Sequence, residues 1–197
     1  MASAKGAAMS QADDLWDFSV RFYRLPGVEP ACLRLQARYG LSVSLLLAAL
    51  WFGREGWGRL GATEMEAAIR RAQEWDREVI EPLRALRRHL KKHPPRGLEE
   101  SAEALRRDLL GRELEAERIE QRLFLADFPQ GMPVAEQRWR DAVVNACLVV
   151  RRKCPKLDEP ARRTLCEIFA EAFPEVAEAE IVRQMRLVWP DNGVLER

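Results

Sequence analysis

Leu45-Leu46-Leu47-Ala48-Ala49-Leu50-Trp51-Phe52 is apolar on every face of the helix it predicts. A helix without a polar side has to be covered all round, by protein or by lipid. A bilayer crossing takes roughly 20 apolar residues, and Arg54, Glu55 and Arg59 close this run well short of that. The stretch therefore reads as the central buried helix of a bundle, with no membrane association. Around it, from Leu15 to Trp57, aromatics and small turn residues crowd together without a recognisable catalytic constellation.

No segment alternates apolar and polar residues over a useful length, so the chain is predicted to be all-α. Asp13 and Asp14 are expected to cap a first helix with Leu15, Phe18 and Phe22 on one stripe, which ends at Leu25-Pro26-Gly27. Residues 1–12, rich in Ala and Ser, are expected to be a disordered tail. Pro30 suits the first turn of a second helix running through Tyr39, with Gly40 as its left-handed cap. The apolar helix follows from Ser42 to Phe52, and Gly53, Gly56, Gly58 and Gly61 make a loop that carries Trp57.

Thr63 and Glu66 have the spacing of a capping box and predict the start of a long helix. Its apolar stripe is Ala72, Trp75, Val79, Leu83, Leu86 and Leu90, and Pro82 should kink it because the ring clashes one turn back. After His93-Pro94-Pro95-Arg96-Gly97 the pattern resumes with Leu98, Ala102, Leu105, Leu109, Ala116, Ile119 and Leu123, interrupted by Arg112. Two seams joined by a tight turn predict a long antiparallel helical hairpin. Arg112 is expected to reach solvent or to pair with Glu74 or Glu78.

Phe128-Pro129-Gln130-Gly131-Met132-Pro133 marks a boundary. It divides a helical domain over 13–128 from a three-helix C-terminal extension over 133–190, either packed on that domain or tethered beside it. The extension carries Trp139, Val143, Ala146 and Val150, then Leu165, Ile168 and Phe169, then Val182, Met185 and Trp189.

The 197 residues hold 32 basic and 31 acidic side chains, a net charge of +1, so no global field draws the protein to nucleic acid or anionic lipid. Cys32, Cys147, Cys154 and Cys166 lack ligand or redox spacing and read as buried thiols of a reducing, cytoplasmic compartment. His89 and His93 stand four apart but have no companion ligand, so neither metal nor cofactor is expected. Glu74, Asp76, Glu78 and Glu81 alternate with arginines and read as a charged face rather than a magnesium motif. Glu167, Glu171, Glu175, Glu178 and Glu180 oppose Arg151, Arg152, Lys153 and Lys156; mutual neutralisation is the default, and an acidic partner face is the alternative.

The strongest basic patch runs from Arg84 to Arg96, with Arg84, Arg87, Arg88, Lys91 and Lys92 as candidate anion contacts. Glu99, Glu100 and Glu103 would fold back against it, which leaves few cations for phosphate and predicts weak nucleic-acid binding. Trp57 and Trp189 show no buried face and are candidate anchors for a protein partner.

Leu15-Trp16-x-Phe18-Ser19, Tyr23-x-x-Pro26-Gly27-Val28, Cys32-Leu33-x-Leu35-Gln36, Gly40, Val43, Leu45-Leu46-Leu47 and Leu50-Trp51-x-Gly53 form a multi-part pattern. With Trp75 and Pro82-Leu83-Arg84-x-x-Arg87-Arg88, it resembles a family of small proteobacterial proteins of unknown function, over about Asp14 to Phe124. The resemblance implies a cytoplasmic helical protein and no assigned activity. The chain departs from the family pattern at Ser42 and Ser44, where an Asp and an Asn are usual, so a polar role there is not expected. The function predicted is a non-catalytic interaction or regulatory module that binds a protein partner. The alternatives are a pocket protein or enzyme acting on a small anionic or phosphorylated ligand, or an RNA-binding accessory factor using the same patch. Oligomeric state is left open.

Overall fold

A computed structural model describes residues 2–126, 136–156 and 158–189. Helices α1 (Ala2–Tyr23), α2 (Val28–Tyr39), α3 (Val43–Arg54), α4 (Ala62–Trp75), α5 (Glu81–Lys92), α6 (Glu99–Leu125), α7 (Arg138–Arg151), α8 (Glu159–Ala172) and α9 (Glu178–Val188) follow in order, with a π turn over Asp76–Ile80. The fold is all-α, a multi-helix bundle with no strand among the described residues.

The apolar run sits where its composition requires. Every residue from Ser44 to Gly53 is buried, because α3 is packed against α1, α2, α6 and α7. Gly53 makes the closest of these approaches possible: a Cβ there would overlap the backbone nitrogen and Cα of Ala142 on α7. Leu15, Phe18 and Phe22 of α1 are buried as a stripe, Gly40 closes α2 at φ 63° with its N–H on the Gln36 carbonyl, and Ser42 caps α3 by accepting from the Leu45 N–H.

Several local expectations are overturned. The first helix begins at Ala2, so the stretch expected to be a disordered tail is helical from there, and Asp13 lies inside the helix rather than capping it. Its carboxylate instead accepts from Arg118 at 2.6 Å. The Thr63 and Glu66 capping box does not form. Gly61 is the N-cap of α4 without a side-chain bond, and Glu66 pairs with Arg152, the C-cap of α7, at 3.0 Å.

Pro82, which has no N–H for the turn before it, is preceded directly by the π turn Asp76–Ile80. The wider turn rotates every later residue about the axis relative to an uninterrupted α-helix. The stripe extrapolated from Ala72 therefore fails beyond the proline. Leu86 is 48 % exposed, α5 contributes no fully buried residue, and Arg84 and Arg87 turn inward. On α6, Ala102, Leu109 and Ala116 are buried, but Leu98, Leu105 and Ile119 are exposed. Two helices alone cannot cover both edges of their seam. Arg112 is exposed and pairs with Glu115 one turn on, not with Glu74 or Glu78.

The expected boundary at 128–133 lies outside the described residues. Beyond it, α7, α8 and α9 share one continuous apolar core with α1 to α4. Arg59 reaches Asp141 at 2.8 Å. Fully buried Asn145 ties down the glycine-rich loop, accepting from the Leu60 N–H at 2.9 Å and donating to the Gly58 carbonyl at 3.0 Å. Arg34 of α2 pairs with Glu167 of α8, and the Tyr39 hydroxyl donates to Asp158, the N-cap of α8.

Candidate functional site

The two tryptophans offered as exposed anchors do not stand free. Trp189 is 1 % exposed and its indole N–H donates to the Pro155 carbonyl at 3.0 Å, which corrects the reading of it as a partner-binding residue. Trp57 is half-buried, with its ring centroid 6.0 Å from that of Phe52.

The basic patch divides in two. Arg84 is held by three carboxylates: Nη2 donates to Glu117 at 2.6 Å, and Nη1 to Glu81 at 3.3 Å and to Asp76 at 3.4 Å. Arg87 donates to Glu113 at 2.5 Å, and Arg88 to Glu81 at 3.1 Å. These arginines are therefore neutralised by acids of the π turn, α5 and α6, and not by Glu99, Glu100 and Glu103 as expected. Glu99 instead accepts from the Gly97 N–H. Glu103 is held below the usual carboxylate range chiefly by hydrogen bonds from Arg106, with a smaller pull from Lys91. Lys91 and Lys92 are exposed at the end of α5. His89 and His93 are exposed there too, their ring centroids 5.1 Å apart.

Arg84, Arg87 and Gln36 line two neighbouring cavities. The larger, about 500 Å³, lies between α1, α2, α3, α5 and α6. Its apolar wall comes from Trp16, Val20, Tyr23, Leu47, Leu110 and Leu114, and its polar lining includes Ser19, Ser44, Glu113, Glu117 and Gln121. The smaller, about 470 Å³, has Asp76, Glu81, Arg88 and the α2–α3 turn Gly40 to Ser42 on its wall. Arg84 and Arg87 face both, with Glu113 and Glu117 on the wall of the larger and Asp76 and Glu81 on that of the smaller.

Burial dominates the electrostatics. It pushes Asp76 and Glu117 above the ordinary carboxylate range in spite of Arg84, and raises Glu120, which is 1 % exposed, to about 7. Glu120 accepts hydrogen bonds from the hydroxyls of Ser42 and Ser44. These serines do carry a polar role, contrary to expectation, because they line up with Glu120 of α6. Glu113, Glu117 and Glu120, spaced by four and three, were the missed signal: acids at helical spacing beside buried Ala116 imply partners on the facing helices.

Among the described residues no group of three or more His, Cys, Asp or Glu side chains is placed to hold a metal ion, and no helix is long and apolar enough to cross a membrane. No curated protein and no solved structure is significantly similar to the chain. The family described as "Protein of unknown function (DUF2390)" matches residues 14–124, which contribute the C-terminal part of α1, α2 to α5, nearly all of α6 and every side chain of both cavities. Since that match takes in more than half of its length, the chain belongs to the DUF2390 family.

Proposed function

We propose that the protein is a non-catalytic helical binding module whose site is the larger cleft, where it holds a small polar ligand. The observation that carries this reading is the convergence of Arg84, Arg87, Glu113 and Glu117 on one concave, partly aromatic cavity. Ionisable groups clustered in a concave pocket are characteristic of functional sites, and burial raises Glu117 among them. The non-catalytic reading is supported against thiol chemistry alone: burial raises Cys32 to about 12 and Cys166 to about 11, which keeps them protonated rather than nucleophilic. A cytoplasmic, proteobacterial setting is part of the same proposal, and its support is the sequence resemblance. A saturation-transfer NMR screen of polar fragments tests the site. Bound fragments should be lost in Leu114→Trp, which fills the cleft from an exposed position; a screen in which no fragment distinguishes that variant from the natural protein overturns the reading.

A second reading, a protein partner, has its own support. Leu86, Leu98 and Leu105 leave about half of their surface open on the α5–α6 arm, a position suited to a partner's amphipathic helix. A photocrosslinker at position 105 should give a discrete adduct in cells that disappears with Leu86→Asp; the absence of any such adduct would count against it.

A further inference from the structure

Gln121 lines the larger cleft and is 1 % exposed. Its amide Nε2 donates to the Ser19 hydroxyl at 2.8 Å and to the Ser44 carbonyl at 3.4 Å, while its Oε1 is buried with no hydrogen-bond partner among the described residues. The amide cannot be turned over without setting oxygen against the Ser44 carbonyl, which only accepts. The unmet group is thus an acceptor, and buried acceptors are ordinarily satisfied.

Glu117, about one turn back on α6, and Glu113, about two turns back, line the same cleft. An anion approaching Arg84 or Arg87 would compete with carboxylates already within hydrogen-bond distance of both. The other cation on the wall, Arg24, is exposed, where water and salt screen it. A hydrogen-bond donor meets no such competition at Gln121 Oε1, whose accepting capacity is unspent.

We infer that the cleft takes a small organic amine. Its ammonium head is received by Gln121 Oε1, with the carboxylate of Glu117, which Arg84 shares, one turn away on α6, and its apolar body lies against Trp16, Tyr23 and Leu47. This deepens the functional reading above and rests on it. The volume of about 500 Å³ suits a small molecule. The raised pKa of Glu117 agrees with it, since burial outweighs the neighbouring Arg84 and a second cation would restore the ionised form.

The test uses three probes with one body and different heads, phenethylamine, 3-phenylpropionate and 2-phenylethanol, together with inorganic phosphate, in titration calorimetry at neutral pH. Phenethylamine should bind at least about tenfold more tightly than the others, and Gln121→Leu should weaken it by about tenfold. Because Gln121→Leu touches the core, Leu114→Trp serves as a second variant: it blocks the cleft from its rim and should abolish the binding. Tighter binding of phenylpropionate or phosphate overturns the amine and leaves the cleft as a site. Phenethylamine binding that survives Leu114→Trp, or silence from all four probes, also overturns the amine. The cleft itself falls only with the fragment screen.

Discussion

Arg84 of α5 and Glu117 of α6 meet at 2.6 Å with side chains only 14 % and 25 % exposed. Each is the main compensation for the other's desolvation, because the guanidinium's two further carboxylate contacts are longer, at 3.3 and 3.4 Å. A buried pair is costly to break and much less costly to replace as a whole. Arg84→Met should therefore destabilise the protein by about 3 kcal/mol in urea unfolding, while Arg84→Met with Glu117→Leu should cost clearly less than the two single changes added together. Additive costs would show that the pair is not coupled.

Glu120 titrates in the folded protein at about 7, raised by burial from an ordinary value of 4.5. The folded state then binds the proton more tightly than the unfolded chain. Its contribution is fully present below about pH 4.5 and is lost as pH rises through about 7. Glu120→Gln should be more stable than the natural protein at pH 8 by up to about 3 kcal/mol, with the gap closing at pH 5. Parallel thermal melts at the two pH values check the sign, and a gap that widens towards acid would contradict it.

The arm and the core should respond differently to truncation. Leu109 is 9 % exposed, so Leu109→Ala should cost about 3 kcal/mol. Leu86→Ala and Leu105→Ala, at 48 % and 49 % exposure, should each cost about 1 kcal/mol. Denaturant midpoints of the three variants decide; equal losses would mean the arm's leucines are covered in solution, by a second copy for instance.

Gly53→Ala should destabilise by more than about 2 kcal/mol, because its methyl overlaps the Ala142 backbone and only separation of α3 from α7 relieves it. A melting temperature within error of the natural protein would show that the crossing is looser than its geometry implies.

Nucleic-acid binding should be weak. With Arg84, Arg87 and Arg88 paired internally, the exposed Lys91, Lys92 and Arg96 are the cations of this patch best placed to reach phosphate. Fluorescence anisotropy with duplex DNA should give a slope of log affinity against log salt of about −3. A slope near −5 would mean that phosphate displaces the carboxylates from the arginines.

The sequence by itself determined the all-α class, the buried central helix and most helix ends, because each of these is a local property. Eight apolar residues without a polar side admit only burial, and Gly40 or Ser42 caps a helix through bonds within a few residues of itself. The basic residues of the cleft were legible as well, by composition. Their partners were not: Arg84 and Glu117 lie 33 residues apart, and their meeting depends on how the π turn before Pro82 rotates α5 against α6. Trp189 failed for the same reason, since the Pro155 carbonyl that receives its indole N–H is 34 residues away. The buried Glu120, the orphaned oxygen of Gln121 and the cleft that Gln121 lines with α1 exist only once separate helices are packed together. Periodicity tells which face of a helix is buried, but not which residues of another helix will lie against it.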